Sequence, residues 1–354
     1  MTDLLYSDVE DQLRASVRDL LAKQAPVAET LKRVESGEPY DPALWRALAV
    51  DIGVSALAIP EDRGGHGATW REVAVVAEEL GASLAPTPFL GHTMATVAAR
   101  ISGVREVIVP LVNGQRVGTL AVPAGVVWGS SVSADDGVVS GVVRGVADAI
   151  TADVFLVPTD AGMHVVEAEH VTRTRVESLD MTRPLCDLTF ERAPASQLQA
   201  QRGGLRDGAL LIGGAMLASE QLGVAQRCLD MTVDYLKTRY QFGRQIGSYQ
   251  ALKHRVADLW AAVTQARAVA RYAAACVADH DGDAPVAVEM ALAYCSPVAV
   301  KAAEECVQLH GGIGFTWEHP AHLYLKRAKA NSLLLRSPRQ HRARLGELVG
   351  LPSS

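Results

Sequence analysis

The chain has 354 residues, with 34 Lys and Arg against 40 Asp and Glu, and therefore a formal net charge of −6. This negative charge excludes a protein whose main function is binding nucleic acid, because binding to phosphate backbones requires an excess of basic side chains. Hydrophobic residues make up 49% and charged residues 21% of the chain, which excludes a disordered tail protein and a disulfide miniprotein. The length predicts two or three domains.

The cysteines and the apolar runs indicate a soluble, cytoplasmic protein. Five cysteines, an odd number, are scattered without any CxxC pair, so no complete disulfide framework is expected. The amino terminus carries acids where an export signal would carry lysines. The longest apolar run, from Ala209 to Ala218, has ten residues, about half of the roughly 20 that cross a bilayer. We therefore expect no membrane span.

Helical signals dominate the first part of the chain. Ser7 with Glu10 forms a capping box ahead of apolar residues at helical spacing, and Thr69 with Glu72 forms a second one. Gly81 is read as the stop of this second helix. Residues 1–104 are therefore predicted to form a helical domain.

The pattern changes near residue 106. Short β-branched runs follow, separated by Gly, Pro and Asp, with Asp136-Gly137 as a hairpin signal. They predict a small antiparallel β domain over residues 105–203, and the runs are EVIVPLV, GVVSGVVRGV, DVFLVPT, MHVVEAE and CDLTF.

Helical spacing returns after Arg206 and continues to the end. Leu252, Val256, Leu259 and Val263 share one stripe, which predicts a long helix starting near Ser248. Residues 204–354 are thus expected to form a close-packed bundle of helices. The fold class is α+β, ordered helical, then β, then helical.

Two segments around glycines suggest anion binding. The turn from Arg239 to Gln245 carries two arginines between the two longest helices, and Gln308 to Phe315 carries three glycines after a helix. A plain connection between helices is the ordinary explanation of the first segment, and a helix stop explains the second equally well. As binding elements, they would offer a guanidinium fork, helix amides and an approachable backbone to phosphate.

Two further segments invite other interpretations. Glu318 to His322, read EHPAH, lacks the HExxH order and a third ligand, so no metal is predicted and a capped helix start is expected. The stretch from Lys326 to Arg344 holds seven Lys or Arg and no acid. A solvated helix face is its ordinary explanation, and a phosphorylated ligand is the alternative.

Three long segments resemble the acyl-CoA dehydrogenases. They are ALAIPEDRGGHGATWREVAVVAEELG, TRYQFGRQIGSYQALKHRVADLW and CVQLHGGIGFTWEHPAHLYLKRAK. The resemblance implies an N-terminal helical domain, a middle antiparallel β-barrel and a C-terminal four-helix bundle. It also implies FAD as cofactor, with its pyrophosphate and adenosine covered by a neighbouring subunit. The residues matching that covering set are Arg239, Phe242, Gln250, Gln308, Gly311 and Gly312.

The resemblance also implies a reaction whose base is missing here. The family removes an α-carbon proton from an acyl-CoA with a Glu and sends the β hydrogen to FAD as hydride. Family members place that Glu at one of two positions, which are Gly213 and Leu335 in this chain. Glu220 lies seven residues after Gly213 on the same helix face and is a fallback candidate for the base. The alternative is that Glu220 is a buried or paired carboxylate with a structural role.

Two flavin-contacting patterns of the family are absent as well. Its Thr-Glu-Pro and Gly-Ser pattern is replaced by residues 120–125, LAVPAG, and its Trp-Ile-Thr segment has only Ala149-Ile150-Thr151 as a counterpart. The chain therefore looks like the subunit without a base in a two-subunit, heterotetrameric acyl-CoA dehydrogenase of the steroid-CoA type. Gly213-Gly214 within a helix would leave space for a close neighbour.

The partners implied are a homologous subunit carrying the catalytic Glu, an acyl-CoA substrate and an electron-transfer acceptor, with no nucleic acid. Three alternatives stay open at this point. They are a homotetrameric dehydrogenase with an unrecognised base, a flavin monooxygenase on the same fold, and a structural subunit without catalysis.

Overall fold

The computed structural model describes residues 4–125, 132–198 and 204–352. The chain begins with helices, and two of them start at the capping boxes that the sequence predicts. Glu10 N–H donates to Ser7 Oγ at 3.3 Å and Ser7 N–H to Glu10 Oε2 at 2.7 Å, while Thr69 N–H donates to Glu72 Oε2 at 2.9 Å. Both predicted capping boxes are confirmed. The helices are α1 (Asp8–Gln24), α2 (Val27–Val34), α3 (Pro42–Arg46), α4 (Trp70–Ser83), α5 (Phe89–Ser102) and α6 (Arg105–Val112).

Helix α6 overturns one sequence prediction. The run EVIVPLV was expected to be a strand, but it lies within α6. Ile108, Leu111 and Val112 are the buried side chains of this helix, and their i, i+3, i+4 spacing suits a helix face. The strand prediction was wrong because β-branched composition outweighed this spacing.

The middle of the chain forms a seven-stranded sheet in the order β1-β4-β5-β7-β3-β2, with β6 beside β7. Of the strand pairs in residues 118–120, 132–176 and 185–198, β1–β4 is parallel and the others are antiparallel. Within the described residues the two ends of this path do not pair, so the expected closed barrel is not observed. The strands are β1 (Gly118–Leu120), β2 (Val132–Asp135), β3 (Val138–Ala147), β4 (Val154–Thr159), β5 (Gly162–Glu167), β6 (Val171–Val176) and β7 (Leu185–Leu198).

The β2–β3 hairpin is confirmed as the sequence predicts it. Asp135 pairs with Val138, and Asp136 and Gly137 both have positive φ, 46° and 72°. Such a two-residue turn suits the twist of the flanking strands. Strands β1, β2 and β6 were not predicted, because none of them contains a run of several apolar β-branched residues: their sequences are GTL, VSAD and VTRTRV.

The last part of the chain is helical apart from one small hairpin. Its elements are α7 (Leu205–Thr238), β8 (Tyr240–Gln241), β9 (Arg244–Gln245), α8 (Gln250–Ala278), α9 (Ala284–His310), α10 (Ala321–Leu334) and α11 (Pro338–Leu348). Helix α9 packs against α7, α8, α10 and α11, and α4 and α5 also pack against α7. The helices from both ends of the chain thus share one core, so a separate four-helix bundle does not describe them.

Gly81 is not the helix stop that the sequence suggested. Helix α4 continues to Ser83 and ends at Leu84, whose φ is 52°. A Cβ on Gly81 would lie 2.1 Å from the carbonyl oxygen of Glu220, and one on Gly223 would lie 1.9 Å from that of Glu78. These glycines therefore let the backbones of α4 and α7 touch where the helices cross.

Helices α7 and α9 are long and apolar enough to cross a membrane by length and composition. In their most apolar windows, 83% and 56% of the residues are buried within the protein. Both helices are thus accounted for as core helices.

Candidate functional site

The first candidate segment is a tight hairpin between the two longest helices. Tyr240 pairs with Gln245 and Gln241 with Arg244. The turn residues Phe242 and Gly243 have φ values of 51° and 78°. This left-handed turn leaves the Phe242 ring 91% exposed.

Next to this hairpin, the start of α8 offers uncapped amides. Gln250 is its first residue, and no side chain caps the helix, so its first N–H groups and the positive end of its dipole are available. The Arg244 guanidinium lies 3.9 Å from the centre of the Tyr249 ring. Arg239 is exposed, and its guanidinium has no partner within the part of the chain that the structure describes.

The second candidate segment is the glycine turn after α9. Gly311 has φ 63° and ψ −139°, a conformation that only glycine adopts without strain. A Cβ on Gly311 or Gly312 would meet no atom within 4 Å, and Gln308 is exposed. The backbone of this turn is therefore open to a ligand.

Contacts between helices bring the two segments to one end of the molecule. The ring of Tyr235, in the last turn of α7, stacks on His310 at the end of α9 with a centroid distance of 4.5 Å. Arg255 near the start of α8 donates to Glu305 near the end of α9 at 2.8 Å. We call residues 239–250 and 308–315 the end face. It carries all six residues of the predicted covering set, which are Arg239, Phe242, Gln250, Gln308, Gly311 and Gly312.

The first predicted base position is closed by the chain itself. Gly213 is buried in α7, and a Cβ there would lie 2.6 Å from Cγ and 2.7 Å from Sδ of Met94 on α5. A Cβ on Gly214 would lie 2.8 Å from Val288 of α9. The close neighbours that these glycines admit are thus α5 and α9 of the same chain.

The second predicted base position, Leu335, lies next to a backbone hydrogen bond within the chain. Leu335 follows α10 and lines a cavity of about 480 Å³ together with Leu211 and Leu292. The N–H of Gly125 donates to the carbonyl of Leu334 at 2.9 Å. The segment that replaces the flavin-contacting pattern therefore touches the helix end that precedes the missing base.

Glu220, the fallback base, sits in a buried ion-pair network. It accepts from Arg183 at 2.7 Å, Arg327 at 2.8 Å and Asn331 at 2.9 Å, and it is 2% exposed. Burial by itself would raise the pKa of this carboxyl, but the charges of Arg183 and Arg327 outweigh it and lower the pKa to about 2. A carboxylate of such low proton affinity is a poor general base.

The same network corrects the interpretation of the basic stretch. Arg327 lies within that stretch but is 2% exposed and also pairs with Asp180. It is therefore no part of a solvated face. Arg183 reaches the network from the loop before β7, so the network joins the β sheet to α7 and α10.

The EHPAH segment starts a helix, as expected. Helix α10 begins at Ala321, directly after Pro320, and the Ala321 N–H donates to His319 Nδ1 at 3.2 Å. The ring of His319 contacts that of His310 at 4.4 Å with the planes tilted by 47°, whereas His322 stacks on Trp317 at 4.5 Å. The rings of His319 and His322 therefore contact two different aromatic partners.

Comparison with known proteins identifies the family to which this architecture belongs. Residues 7–103 match the acyl-CoA dehydrogenase N-terminal domain and residues 207–335 match the acyl-CoA dehydrogenase C-terminal domain. The chain belongs to the acyl-CoA dehydrogenase family. The resemblance read from the sequence is thereby confirmed.

Relatives of this acyl-CoA dehydrogenase match along nearly its whole length. Acyl-CoA dehydrogenase IpdE2 of Mycolicibacterium smegmatis is 38% identical over 96% of this chain and 98% of its own. Among solved structures, the ChsE4–ChsE5 complex from Mycobacterium tuberculosis gives a TM-score of 0.89 at 27% identity, covering 100% of both chains. A variant of the Tcur3481–Tcur3483 steroid ACAD gives 0.87 at 28% identity, covering 97% of this chain and 98% of that one.

Sequence reasoning missed three contacts that shape this acyl-CoA dehydrogenase. They are the ion pairs of Glu220 with Arg183 and Arg327, the packing of Met94 over Gly213, and the bond from Gly125 to Leu334. Each joins segments far apart in the chain, and no spacing rule relates such partners. The glycines themselves were the one available signal, since a glycine inside a helix often marks close packing.

Proposed function

We propose that this acyl-CoA dehydrogenase chain is the subunit without a base in a heterotetramer that desaturates an acyl-CoA between its α and β carbons. Its end face would cover the pyrophosphate and adenosine of FAD held in a homologous partner subunit. One contrast carries the proposal. The end face is exposed with its full set of residues, while neither base position carries an acid and the one at Gly213 is crowded by Met94.

The chemistry of the end face fits a dinucleotide. Among the described residues the guanidinium of Arg239 has no partner, and its planar fork suits phosphate oxygens. The uncapped start of α8 at Gln250 and the open backbone of Gly311 and Gly312 add N–H groups that favour an anion. Phe242 offers an exposed ring against which a purine can pack. FAD, when bound, supplies the acceptor for the β hydrogen.

The proton from the α carbon would go to a Glu of the partner subunit. In this chain a side chain at Gly213 would collide with Met94, and Leu335 has no acidic group. Glu220 is engaged by Arg183 and Arg327 and is assigned no catalytic role.

The substrate and setting follow from likeness and composition. We propose a CoA thioester of a steroid side chain, because this chain is 28% identical over nearly its full length to a chain of a steroid ACAD. An electron-transfer acceptor would reoxidise the flavin. The five cysteines are free and buried, which supports a cytoplasmic location.

Co-purification tests the assignment. The chain is expressed alone and together with the product of a neighbouring gene for a homologue that carries Glu at a base position. We expect little flavin absorbance and no dehydrogenase activity from the chain alone, and a flavin-containing heterotetramer from the pair. A yellow, active homotetramer of this chain would contradict the proposal.

Substituting Arg239 tests the role of the end face. Arg239→Ala in the complex is expected to raise the Kd for FAD about tenfold or more, since a charge-assisted hydrogen bond contributes about 1.5–3 kcal/mol. Lys237→Ala is the matched control, because it removes an exposed positive charge from the last turn of the same helix. Equal effects of the two variants, or none for Arg239→Ala, would refute the role of Arg239.

A further inference from the structure

His310 occupies an unusual place directly before the glycine turn. It is the last residue of α9 and is only 4% exposed. Its Nδ1 donates to the carbonyl of Cys306 at 2.6 Å. Its ring contacts Tyr235 at 4.5 Å and His319 at 4.4 Å.

The turn that follows packs against α9 and α10. Apart from the chain neighbours of each glycine, no atom of the described residues lies within 4 Å of where a Cβ would be on Gly311 or Gly312. At the far end, a Cβ on Gly314 would lie 2.5 Å from the Val307 carbonyl oxygen and 3.0 Å from His310 Cβ. The turn therefore rests on the last turn of α9, and His310 contacts it from within.

The same ring joins the two halves of the end face. Tyr235 lies one helical turn before Arg239, and His310 immediately precedes Gly311. Stacked aromatic rings at these centroid distances attract each other beyond their apolar burial. The Tyr235–His310 contact is therefore the ring contact between α7 and α9 that lies nearest to both Arg239 and the glycine turn.

We propose that His310 is a positioning residue for the dinucleotide: its ring, held between Tyr235 and His319, fixes the Gly311–Gly312 turn at the spacing from Arg239 that FAD requires. This inference rests on the proposed function of the end face. His310 acts through the turn and contacts neither the acyl group nor the reacting atoms.

The test uses the co-purified complex and measures the Kd for FAD. His310→Leu removes both the ring and the donor, and is expected to weaken FAD binding about tenfold through the loss of the stack on Tyr235 and of the tilted contact with His319. His310→Phe keeps a ring and is expected to recover most of that affinity.

His322→Leu is the matched control. His322 also stacks on an aromatic ring, that of Trp317, but it does not adjoin the glycine turn. Its replacement is expected to leave the Kd unchanged. Equal weakening by His322→Leu, or an unchanged Kd for His310→Leu, would overturn the inference.

A second variant covers the case in which His310→Leu fails to fold. Tyr235→Leu removes the stack from the α7 side, and we expect faster amide exchange of residues 311–314 together with weaker FAD binding. Unchanged exchange and affinity would again overturn the inference. Failure of the proposed function looks different, because the wild-type complex itself would then bind no FAD.

Discussion

Replacing Glu220 by Gln separates a structural carboxylate from a catalytic one. Glu220 neutralises Arg183 and Arg327 in a fully buried setting. Glutamine keeps the shape but removes the charge, which leaves two buried guanidinium groups with less compensation. Glu220→Gln is therefore expected to lower the free energy of unfolding strongly and to have no specific effect on chemistry.

The magnitude follows from the pKa. A pKa of about 2 in the folded chain, against the ordinary 4.5, corresponds to about 3 kcal/mol of stability. Breaking a buried ion pair by removing one partner typically costs about 3–5 kcal/mol, in agreement. Because the folded-state pKa is depressed, this stability is present above pH 4.5 and is lost as the pH falls toward 2.

The assay is denaturant unfolding of wild type and Glu220→Gln at several pH values. The difference in unfolding free energy is expected to be largest near neutral pH and to shrink as the pH falls below 4.5. Asp207→Asn is the control on the same helix, since Asp207 forms a surface ion pair with Arg206 that contributes about 0–1 kcal/mol. Unchanged stability of Glu220→Gln, combined with a complex that has lost turnover, would refute this reasoning.

Two glycines give further predictions. Gly213→Glu is expected to destabilise the chain and to confer no dehydrogenase activity on it, because Met94 occupies the space of the new side chain. Thermal unfolding measures the stability and a dye-coupled assay measures the turnover. An active, stable variant would contradict this prediction. Gly223→Ala is expected to cost about 1–3 kcal/mol by overpacking the α4–α7 crossing, measured by denaturant unfolding. Gly282→Ala, where no atom lies within 4 Å of the added Cβ, is the control and should be near neutral.

The features that the sequence predicted correctly are local. The capping boxes at Ser7 and Thr69 and the Asp136-Gly137 hairpin each depend on a few consecutive residues. The long helix near Ser248 depends on one repeated spacing. In all of these, the residues that carry the signal are also the residues that make the contact.

The features that the sequence did not predict are tertiary. Gly81 was taken as a helix stop, although its reason lies in α7, where the Glu220 carbonyl needs the space. Arg327 was taken as solvated, although Asp180 and Glu220 bury its charge. In both cases a distant partner decides the role of a residue whose local pattern points elsewhere.

The end face was predicted in part: its residues were recognised from the sequence, but their arrangement was not. Its residues were recognised one by one from a family likeness, but their common location depends on packing that no motif contains. The stack of Tyr235 on His310 and the ion pair of Arg255 with Glu305 bring the ends of three helices together. The two motifs are therefore recognisable in sequence, whereas their position side by side depends on Tyr235 and Arg255, which lie outside both.

The two positions where the family places its Glu differ in the room that they leave for one. A Glu at position 213 would require moving Met94 of α5, whereas position 335 lines a cavity of about 480 Å³. The hydrogen bond from Gly125 to Leu334 joins the segment after β1 to the end of α10 and leaves the side chain at position 335 free to change. On the proposed function, Gly213→Glu is therefore expected to stay inactive without the partner until Met94 is also replaced by a smaller side chain.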